Sequence, residues 1–239
     1  MDRWKQPAMS GVAALERALS MLSAFQRGDS ILPLAEIARR TDLDDSTVVQ
    51  LAASLEEAGF LYRLAEGRYQ LGGEIARLGS IYQEALGLDR QILPVLRHLA
   101  EACGETASFY VRHGASRMCL YRVNSSHRLR LHLQPGDLRP MDRSSIAQAL
   151  RATDPADCAV AHSSGATDPH AASMAIPVFL GGGAPLGALG VSGPAARLTA
   201  DRLDEIAPML RRAVRELLTG LNVGVYGDVS ARKPLRERR

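Results

Sequence analysis

The chain has 239 residues, is 46% hydrophobic and 23% charged, and carries a formal net charge of +3. This length suits one large domain or two small ones, and the composition is that of an ordinary globular protein, which excludes a wholly disordered chain. No apolar run approaches the roughly 18 residues of a membrane span. Residues 1–7 lack the apolar run of a secretory signal, and three widely spaced cysteines favour neither a disulfide framework nor a zinc site. We therefore expect a cytoplasmic protein.

Residues 11–71 predict a winged helix-turn-helix. Apolar residues recur at helical spacing over Val12–Phe25, a second short helix covers Leu34–Arg40, and a third covers Ser46–Ala58 after a polar turn. Residues 61–71 then alternate about a short turn at 65–67, which indicates a two-stranded ribbon. A fold with this order of elements places its third helix in the major groove of double-stranded DNA.

The polar side of the third predicted helix supplies candidate base contacts. Hydroxyl groups can bond phosphates or bases, glutamine can pair with adenine, and valine can pack on a thymine methyl group. The candidates on this helix are Ser46, Thr47, Val49, Gln50 and Ser54. The candidate phosphate contacts are Arg39, Arg40, Arg63 and Arg68. The alternative is a winged-helix module that binds protein, in which these side chains are solvated.

The charge is distributed unevenly along the chain. Residues 1–75 contain eight Lys and Arg against eleven Asp and Glu, a balance of −3, and the remainder carries +6. Asp44 and Asp45 begin the third predicted helix, where carboxylates suit the helix dipole. The same carboxylates repel phosphate, so the predicted DNA-binding unit is acidic where such a unit is normally basic.

Residues 72–88 predict an amphipathic linker helix, whose apolar stripe suggests pairing with another chain. Residues 89–221 predict an α+β sensor-type domain. Its expected elements are a helix over Asp89–Ala102, strands over Thr106–Arg112, Arg117–Val123 and Leu129–Leu133, a short helix over Ser144–Arg151, a loop over 152–170, strands over Ala172–Leu180 and Leu186–Ser192, and a closing helix over Thr199–Leu218. Residues 222–239 form a basic tail, predicted to be disordered.

Nothing in the sequence indicates an enzyme, a cofactor or a metal. The six histidines form no HxH or HxxxH pair. No spacing motif joins a cysteine to a histidine as nucleophile and base. The expectation is a protein that is not an enzyme and carries no cofactor.

Taken together, these segments resemble the IclR family of bacterial transcriptional regulators. The resemblance lies in Leu15–Leu19, Leu34–Arg40, Ser46–Val48, Leu55–Leu61, Gly67–Gly72, Gly104–Ala107, Tyr121–Val123 and Ala188–Thr199. It implies an N-terminal winged helix, a dimerising linker helix and a C-terminal effector domain of GAF-like topology. It also implies homodimers or tetramers that respond to small metabolites, often carboxylates or aromatic degradation intermediates.

The chain departs from this family in two ways. It has Asp44, Asp45 and Gln50 where the family usually has Pro-Lys and an Arg, which predicts altered or weakened operator contact. It is also several tens of residues shorter between Leu150 and Ser173, so we expect a shortened effector domain that lacks part of a pocket wall.

The resemblance also implies a set of effector-binding residues. They are Leu131 and Leu133 on a strand, Ser144 and Ser145 at a helix start, Ser173 on the following strand, and Gly190 and Ser192 on the last strand. Hydroxyls and N–H groups at a helix start suit a carboxylate. The alternative is that Ser144 caps the helix and the others pack in the core.

Two functional hypotheses follow. The first is a DNA-binding regulator whose operator binding is modulated by a small organic effector, a carboxylate or an aromatic compound. The second is a degenerate, dimerising interaction module with weak DNA affinity and no effector.

Overall fold

The computed structural model describes residues 12–129, 131, 133–155, 159–181 and 183–223. Two compact units meet along the chain between Ala85 and Leu86. Residues 222 and 223 continue the last helix, and the rest of the predicted basic tail lies outside the described residues.

The N-terminal unit surrounds its own small core. Its elements are α1 (Ala13–Ser23), β1 (Leu32–Pro33), α2 (Leu34–Thr41), α3 (Asp45–Glu57), β2 (Leu61–Arg63), β3 (Arg68–Leu71) and α4 (Gly73–Leu86). Met21, Ile37, Val48, Ala52 and Tyr69 are buried together. The helices α1, α2 and α3 each contribute one apolar face to this core, as helical spacing predicts.

The ribbon of this unit carries a third strand that the sequence analysis did not predict. In the hairpin, Leu61 lies opposite Leu71 across β2 and β3. Leu32 of β1 pairs with Tyr69 on the other side of β3. A strand of two residues has no periodicity to detect, because its partner alone defines it.

Within the described residues, the second unit contains one sheet and three helices. Its elements are α5 (Leu88–Cys103), β4 (Thr106–His113), β5 (Ser116–Val123), β6 (Leu138–Pro140), α6 (Ser145–Ala149), β7 (Ala161–Ser164), β8 (Ala171–Val178), β9 (Gly187–Pro194) and α7 (Ala200–Val223). The sheet has the strand order β6-β5-β4-β9-β8-β7, and every neighbouring pair is antiparallel.

The two faces of this sheet bury different sets of side chains. Phe109, Leu189 and Ile176 pack in the main core with α5 and α7. Tyr110, which follows Phe109, and Ala188, which precedes Leu189, pack against α6 on the opposite face. This alternation has the period of two expected for strands buried on both faces.

An ion pair between a half-buried arginine and a buried glutamate joins two distant segments of the second unit. Arg197 donates from Nε to Glu105 Oε1 at 2.5 Å and from Nη2 to Oε2 at 2.8 Å, and the Glu105 side chain is 5% exposed. A Cβ on Gly193 would collide with the Glu105 carboxylate, so a larger residue here would displace that carboxylate from Arg197. The pair anchors the start of β4 to the connection between β9 and α7.

Two predicted segments were wrong. Leu129, Leu131 and Leu133 are not in a strand, because the chain turns locally, with the Leu133 N–H donating to the Leu131 carbonyl at 3.1 Å, and the edge strand is β6 instead. The segment 152–170 is not a plain loop, because it contains β7, which pairs with β8. The sequence Ala-His-Ser-Ser has none of the strand-favouring residues Val, Ile, Thr, Tyr, Phe and Trp, so propensity did not reveal this strand.

Candidate functional site

The turn between α2 and α3 is tight and depends on one left-handed residue. Asp42 has φ of 59° and ψ of 36° and donates its N–H to the Ala38 carbonyl. The Leu43 N–H also bonds Ala38 O, at 3.2 Å. Aspartate tolerates the left-handed region better than most residues. The turn sets α3 against α2 over the buried Ile37 and Val48.

The outer side of α3 carries the predicted base contacts. Val48 and Ala52 face the core. Thr47 is half-buried, and the exposed candidates are Ser46, Val49, Gln50 and Ser54. The predicted set therefore forms one accessible surface, which we name the α3 surface.

Arg39 and Arg40 are adjacent in sequence but differ in role. The Arg39 side chain is 71% exposed and bonds Glu36. The Arg40 side chain is 20% exposed. It donates to Glu36 Oε1 at 2.6 Å, to the Ala24 carbonyl at 2.8 Å, and to Asp29. We assign Arg40 a structural role and keep Arg39 as a candidate phosphate contact.

This cluster of charges perturbs its carboxylates. Hydrogen bonds from Arg39 and Arg40 lower the pKa of Glu36 from its usual 4.5 to about 2. The hydrogen bond from Arg40, with that of the Gln26 N–H, likewise lowers the pKa of Asp29. Both carboxylates therefore stay ionised at neutral pH and hold Arg40 in place.

The ribbon places both of its predicted arginines on the surface. Arg63 is exposed, and its guanidinium lies 6.0 Å from the centre of the Tyr69 ring, which is within cation–π distance. Arg68 is exposed and lies 3.7 Å from the Glu66 carboxylate. An exposed pair of this length contributes little stability, so both arginines are available to a phosphate.

Asp44 and Asp45 are exposed at the start of α3. Asp44 occupies the N-cap position, but its side chain makes no capping hydrogen bond. The carboxylate therefore affects α3 through its charge alone. The same charge lies where DNA would approach the helix start.

The second unit contains a cavity of about 310 Å³ on the α6 side of its sheet. This volume falls in the range of about 300–1,000 Å³ typical of small-molecule sites. Hydroxyl groups dominate the polar lining, and Leu131, Leu133 and Ile146 supply apolar surface. Ser163 of β7, in the shortened segment, forms part of this lining.

Six of the seven predicted effector residues line this cavity: Leu131, Leu133, Ser144, Ser173, Gly190 and Ser192. Ser145 is the exception. It is fully buried behind the lining, where its Oγ lies 2.7 Å from Ser173 Oγ. Its N–H donates to Ser163 Oγ at 2.9 Å.

The expectation that the backbone N–H groups of Ser144 and Ser145 are free to bind a ligand carboxylate was wrong. The Ser144 N–H donates to Asp142 Oδ1 at 2.9 Å, and its Oγ accepts from the Ala147 N–H at the helix start. With the Ser145 N–H bonded to Ser163, these two backbone donors are already used. Ser144 caps α6, as the alternative interpretation held.

The charged part of the lining, which sequence reasoning missed, comprises Asp168 and the two arginines Arg117 and Arg139. The two arginines lie directly opposite each other on β5 and β6. The alternation of β5 could have identified Arg117, because every second residue of this strand is buried and Arg117 stands at one of those positions. Nothing local marked Arg139, because β6 was not predicted.

The buried Arg117 and the half-buried Asp142 form an ion pair at the cavity. Arg117 is 4% exposed, and its Nη1 lies 2.7 Å from Asp142 Oδ1. Burial raises the pKa of the Asp142 carboxyl, but the hydrogen bonds from Arg117 and Ser144 outweigh it and hold that pKa well below its usual range. Burial also raises the pKa of Tyr110, which lines the same cavity, so its phenol is neutral.

The described residues contain no group of His, Cys, Asp and Glu side chains that could hold a metal ion. None of the helices in that part of the chain is long and apolar enough to cross a membrane.

The N-terminal unit matches a known domain. Residues 14–65 match the IclR helix-turn-helix domain. This range covers α1, α2, α3 and the first ribbon strand, so the predicted helix-turn-helix is confirmed.

Three known regulators are similar in sequence. The glycerol operon regulatory protein of Streptomyces coelicolor is 32% identical over 64% of this chain, a match that spans 59% of that protein. The transcriptional regulator BhcR of Paracoccus denitrificans is 28% identical over 88% of each chain. The transcriptional repressor IclR of Escherichia coli is 24% identical over 88% of this chain and 90% of its own.

Solved structures share the fold over nearly the whole chain. An IclR family transcriptional regulator from Brucella abortus has a TM-score of 0.71 at 24% identity, covering 88% of this chain and 93% of its own. An IclR homologue from Microbacterium hydrocarbonoxydans complexed with 4-hydroxybenzoate has a TM-score of 0.73 at 19% identity, covering 89% and 100%. These likenesses confirm the predicted α+β fold, a winged helix-turn-helix followed by a GAF-like effector domain.

Proposed function

We propose that this chain, which belongs to the IclR family of transcriptional regulators, binds operator DNA through the α3 surface and that a small organic acid in its cavity alters this binding. The observation that carries the proposal is the presence of both parts in one chain: a helix-turn-helix with an exposed polar helix face, and a cavity lined by hydroxyls and guanidiniums. In the proposal, residues 11–71 read DNA, residues 72–88 link and dimerise, and residues 89–221 bind the effector.

The α3 surface supports the DNA-binding part. Gln50 is exposed and can pair bidentately with adenine in the major groove. Arg39, Arg63 and Arg68 are exposed and can contact phosphates, which position the helix without reading sequence. Arg40 joins α2 to the preceding loop and so helps to fix the helix against which α3 packs.

The effector part is supported by the cavity and by the ligand-bound homologue. That homologue carries 4-hydroxybenzoate, an aromatic carboxylate. The cavity of this chain has the volume and mixed lining that a small organic acid needs. A ligand shifts DNA binding only by preferring one conformational state over another.

Dimerisation is proposed from exposed apolar helix faces. Ile75, Leu78, Ile81 and Tyr82 are 36–48% exposed along α4. Leu15 and Leu19 of α1, with Val12 at its N-cap, are 41–69% exposed in the same unit. Such stripes usually mark protein interfaces. Two paired winged helices would address half-sites about 34 Å, or a multiple of it, apart.

The proposal is tested by fluorescence-anisotropy titration of labelled DNA from upstream of the gene. We expect binding that survives excess competitor DNA and weakens with salt. Equal affinity for random duplex at every salt concentration would reject it.

A second function is favoured by one observation. The exposed carboxylates of Asp44 and Asp45 and the net charge of −3 over residues 1–75 oppose DNA. They suit a degenerate module that dimerises but binds DNA weakly and has no effector. The same titration distinguishes the two, because this alternative predicts no preference for the operator.

A further inference from the structure

Arg117 presents one edge of its guanidinium to Asp142. Its Nη1 donates to Asp142 Oδ1 at 2.7 Å and to the Pro140 carbonyl, and its Nη2 donates to Asp142 Oδ2 at 3.3 Å. Asp142 therefore takes the end of the guanidinium that the two terminal nitrogens form.

The other edge of the guanidinium has an unmet donor. Arg117 Nε is buried and has no hydrogen-bond partner among the described residues. A guanidinium can hold a second carboxylate through Nε and the remaining Nη2 hydrogen, in the side-on bidentate geometry. A buried N–H without a partner costs free energy, and a ligand carboxylate would remove that cost once a small shift of the guanidinium opens Nε to the cavity.

Arg117 is also the middle of a row of three arginines. It lies directly opposite Arg112 on β4 and Arg139 on β6. Like charges placed directly opposite each other destabilise a sheet. In the part of the chain that the structure describes, Asp142 is the carboxylate that bonds this row. Three arginines against one paired carboxylate leave the row with an excess positive charge that attracts a further anion. Arg139 lines the cavity beside Arg117, and Asp168 is the carboxylate among the described lining residues.

Hydroxyl groups line the strands farther along the sheet. Ser163, Ser173 and Ser192 lie directly opposite one another across β7, β8 and β9. All three line the cavity, as does Ser108 on β4. Ser163 Oγ and Ser173 Oγ are 3.1 Å apart. Serine hydroxyls both donate and accept hydrogen bonds, so this row matches a ligand that carries hydroxyl groups.

We propose that the cavity binds a small aliphatic hydroxy acid, with its carboxylate on the side-on edge of Arg117 and its hydroxyls on the serine row. Leu131, Leu133 and Ile146 cover the carbon chain. The inference rests on the proposed function, because it names the class of the proposed effector and the residue that selects it.

Four probes of known structure test the ligand class: gluconate, hexanoate, sorbitol and benzoate. Gluconate has both features, hexanoate has the carboxylate alone, sorbitol has the hydroxyls alone, and benzoate is an aromatic acid. By isothermal titration calorimetry on the full chain we expect gluconate to bind at least about tenfold more tightly than each of the others. Equal or tighter binding of hexanoate, sorbitol or benzoate overturns the proposal, and so does the absence of gluconate binding.

Arg117→Lys tests the contact. Lysine keeps the positive charge beside Asp142 but cannot offer the planar side-on fork. We expect a loss of gluconate affinity of at least about tenfold. Arg112→Lys is the matched control, because Arg112 is exposed in the same row and does not line the cavity. The gluconate affinity of Arg112→Lys should stay within about twofold of that of the unsubstituted chain.

Melting curves without ligand establish that each variant folds. Should Arg117→Lys fail to fold, Arg139→Gln takes its place, because the half-buried Arg139 should also lose gluconate affinity, by several-fold. Unchanged gluconate binding in the folded Arg117→Lys protein, or in Arg139→Gln when it is used, overturns the assignment. Operator binding is measured on the unsubstituted chain, so its absence rejects the proposed function whatever the ligand result.

Discussion

Asp44 and Asp45 stand exposed at the start of α3, and the N-cap carboxylate bonds no backbone N–H. Their benefit to the helix is therefore electrostatic, worth about 0.3–1 kcal/mol for each charge near a helix N-terminus. Their cost falls on DNA binding, because each carboxylate repels a phosphate that approaches the same end. These two effects can be separated by substitutions that keep shape and remove charge.

The double substitution Asp44→Asn, Asp45→Asn should strengthen DNA binding. Two charges about 8–10 Å from phosphates in water oppose binding by roughly 1 kcal/mol in total, or about fivefold in affinity at low salt. The gain should shrink as salt rises. Anisotropy titrations at two salt concentrations measure it, with Asp201→Asn on the second unit as the control. An unchanged or weaker affinity would show that α3 does not approach DNA by its N-terminus.

Gln50→Ala should cost operator affinity and leave binding to random DNA unchanged. The exposed amide can pair with one base, and such a pair contributes about 1–3 kcal/mol of discrimination. The measurement is the ratio of operator to random-duplex affinity. Gln26→Ala, an equivalent change at an exposed site outside α3, should leave that ratio unaltered. A ratio that Gln50→Ala does not change removes Gln50 from the base contacts.

At the scale of elements, Arg40 is the point where three segments of the N-terminal unit meet. It bonds Ala24 after α1, Asp29 in the following loop and Glu36 on α2. The predicted phosphate contact is thus occupied inside the protein. The position of Arg40 at the end of α2 suggested a contact with DNA phosphate. The two carboxylates that bond its guanidinium instead lie 4 and 11 residues away in sequence, and the fold brings them to it.

The ion pairs of Arg40 with Glu36 and Asp29 should make the stability of the N-terminal unit sensitive to acid. Because the pKa of Glu36 is lowered from 4.5 to about 2, its stabilising contribution is complete above about pH 4.5 and is lost as pH falls toward 2. Glu36→Gln should reduce stability at pH 7, and the difference from the unsubstituted chain should shrink across that window. Urea unfolding followed by circular dichroism at a series of pH values measures this. A difference that stays constant from pH 7 to 2 contradicts the assignment.

The elements that could be predicted from sequence were those whose apolar residues repeat with a helical or strand period, or that a turn sequence bounds. The helix-turn-helix was predicted from the helical spacing of its apolar residues and from the polar turn before its third helix. The strands β1, β6 and β7 were missed, because each is short and is defined by its neighbour in the sheet. The same limit applied to the cavity. Ser173, Gly190 and Ser192 were carried over by resemblance, whereas the pairing of Arg117 with Arg139 requires knowledge of β6.

For the whole molecule, the proposed regulator needs two copies of the chain. One α3 surface reads only a few base pairs, and specific recognition usually comes from two half-sites. The exposed apolar face of α4, with Leu78 41% and Ile81 48% exposed, is the candidate contact. Both side chains are accessible within the single chain, so a charge placed there should disturb pairing and not the fold.

The double substitution Leu78→Glu, Ile81→Glu should therefore give a folded monomer. Burying two carboxylates in an apolar contact costs several kcal/mol, enough to lower dimer affinity by at least a hundredfold. Sedimentation velocity measures the oligomer, and the melting temperature checks the fold. Operator affinity should fall with dimerisation, since each half-site would then be bound alone. Glu84→Gln, at an exposed position of the same helix, is the control and should remain dimeric. A double variant that stays dimeric places the interface elsewhere on the chain.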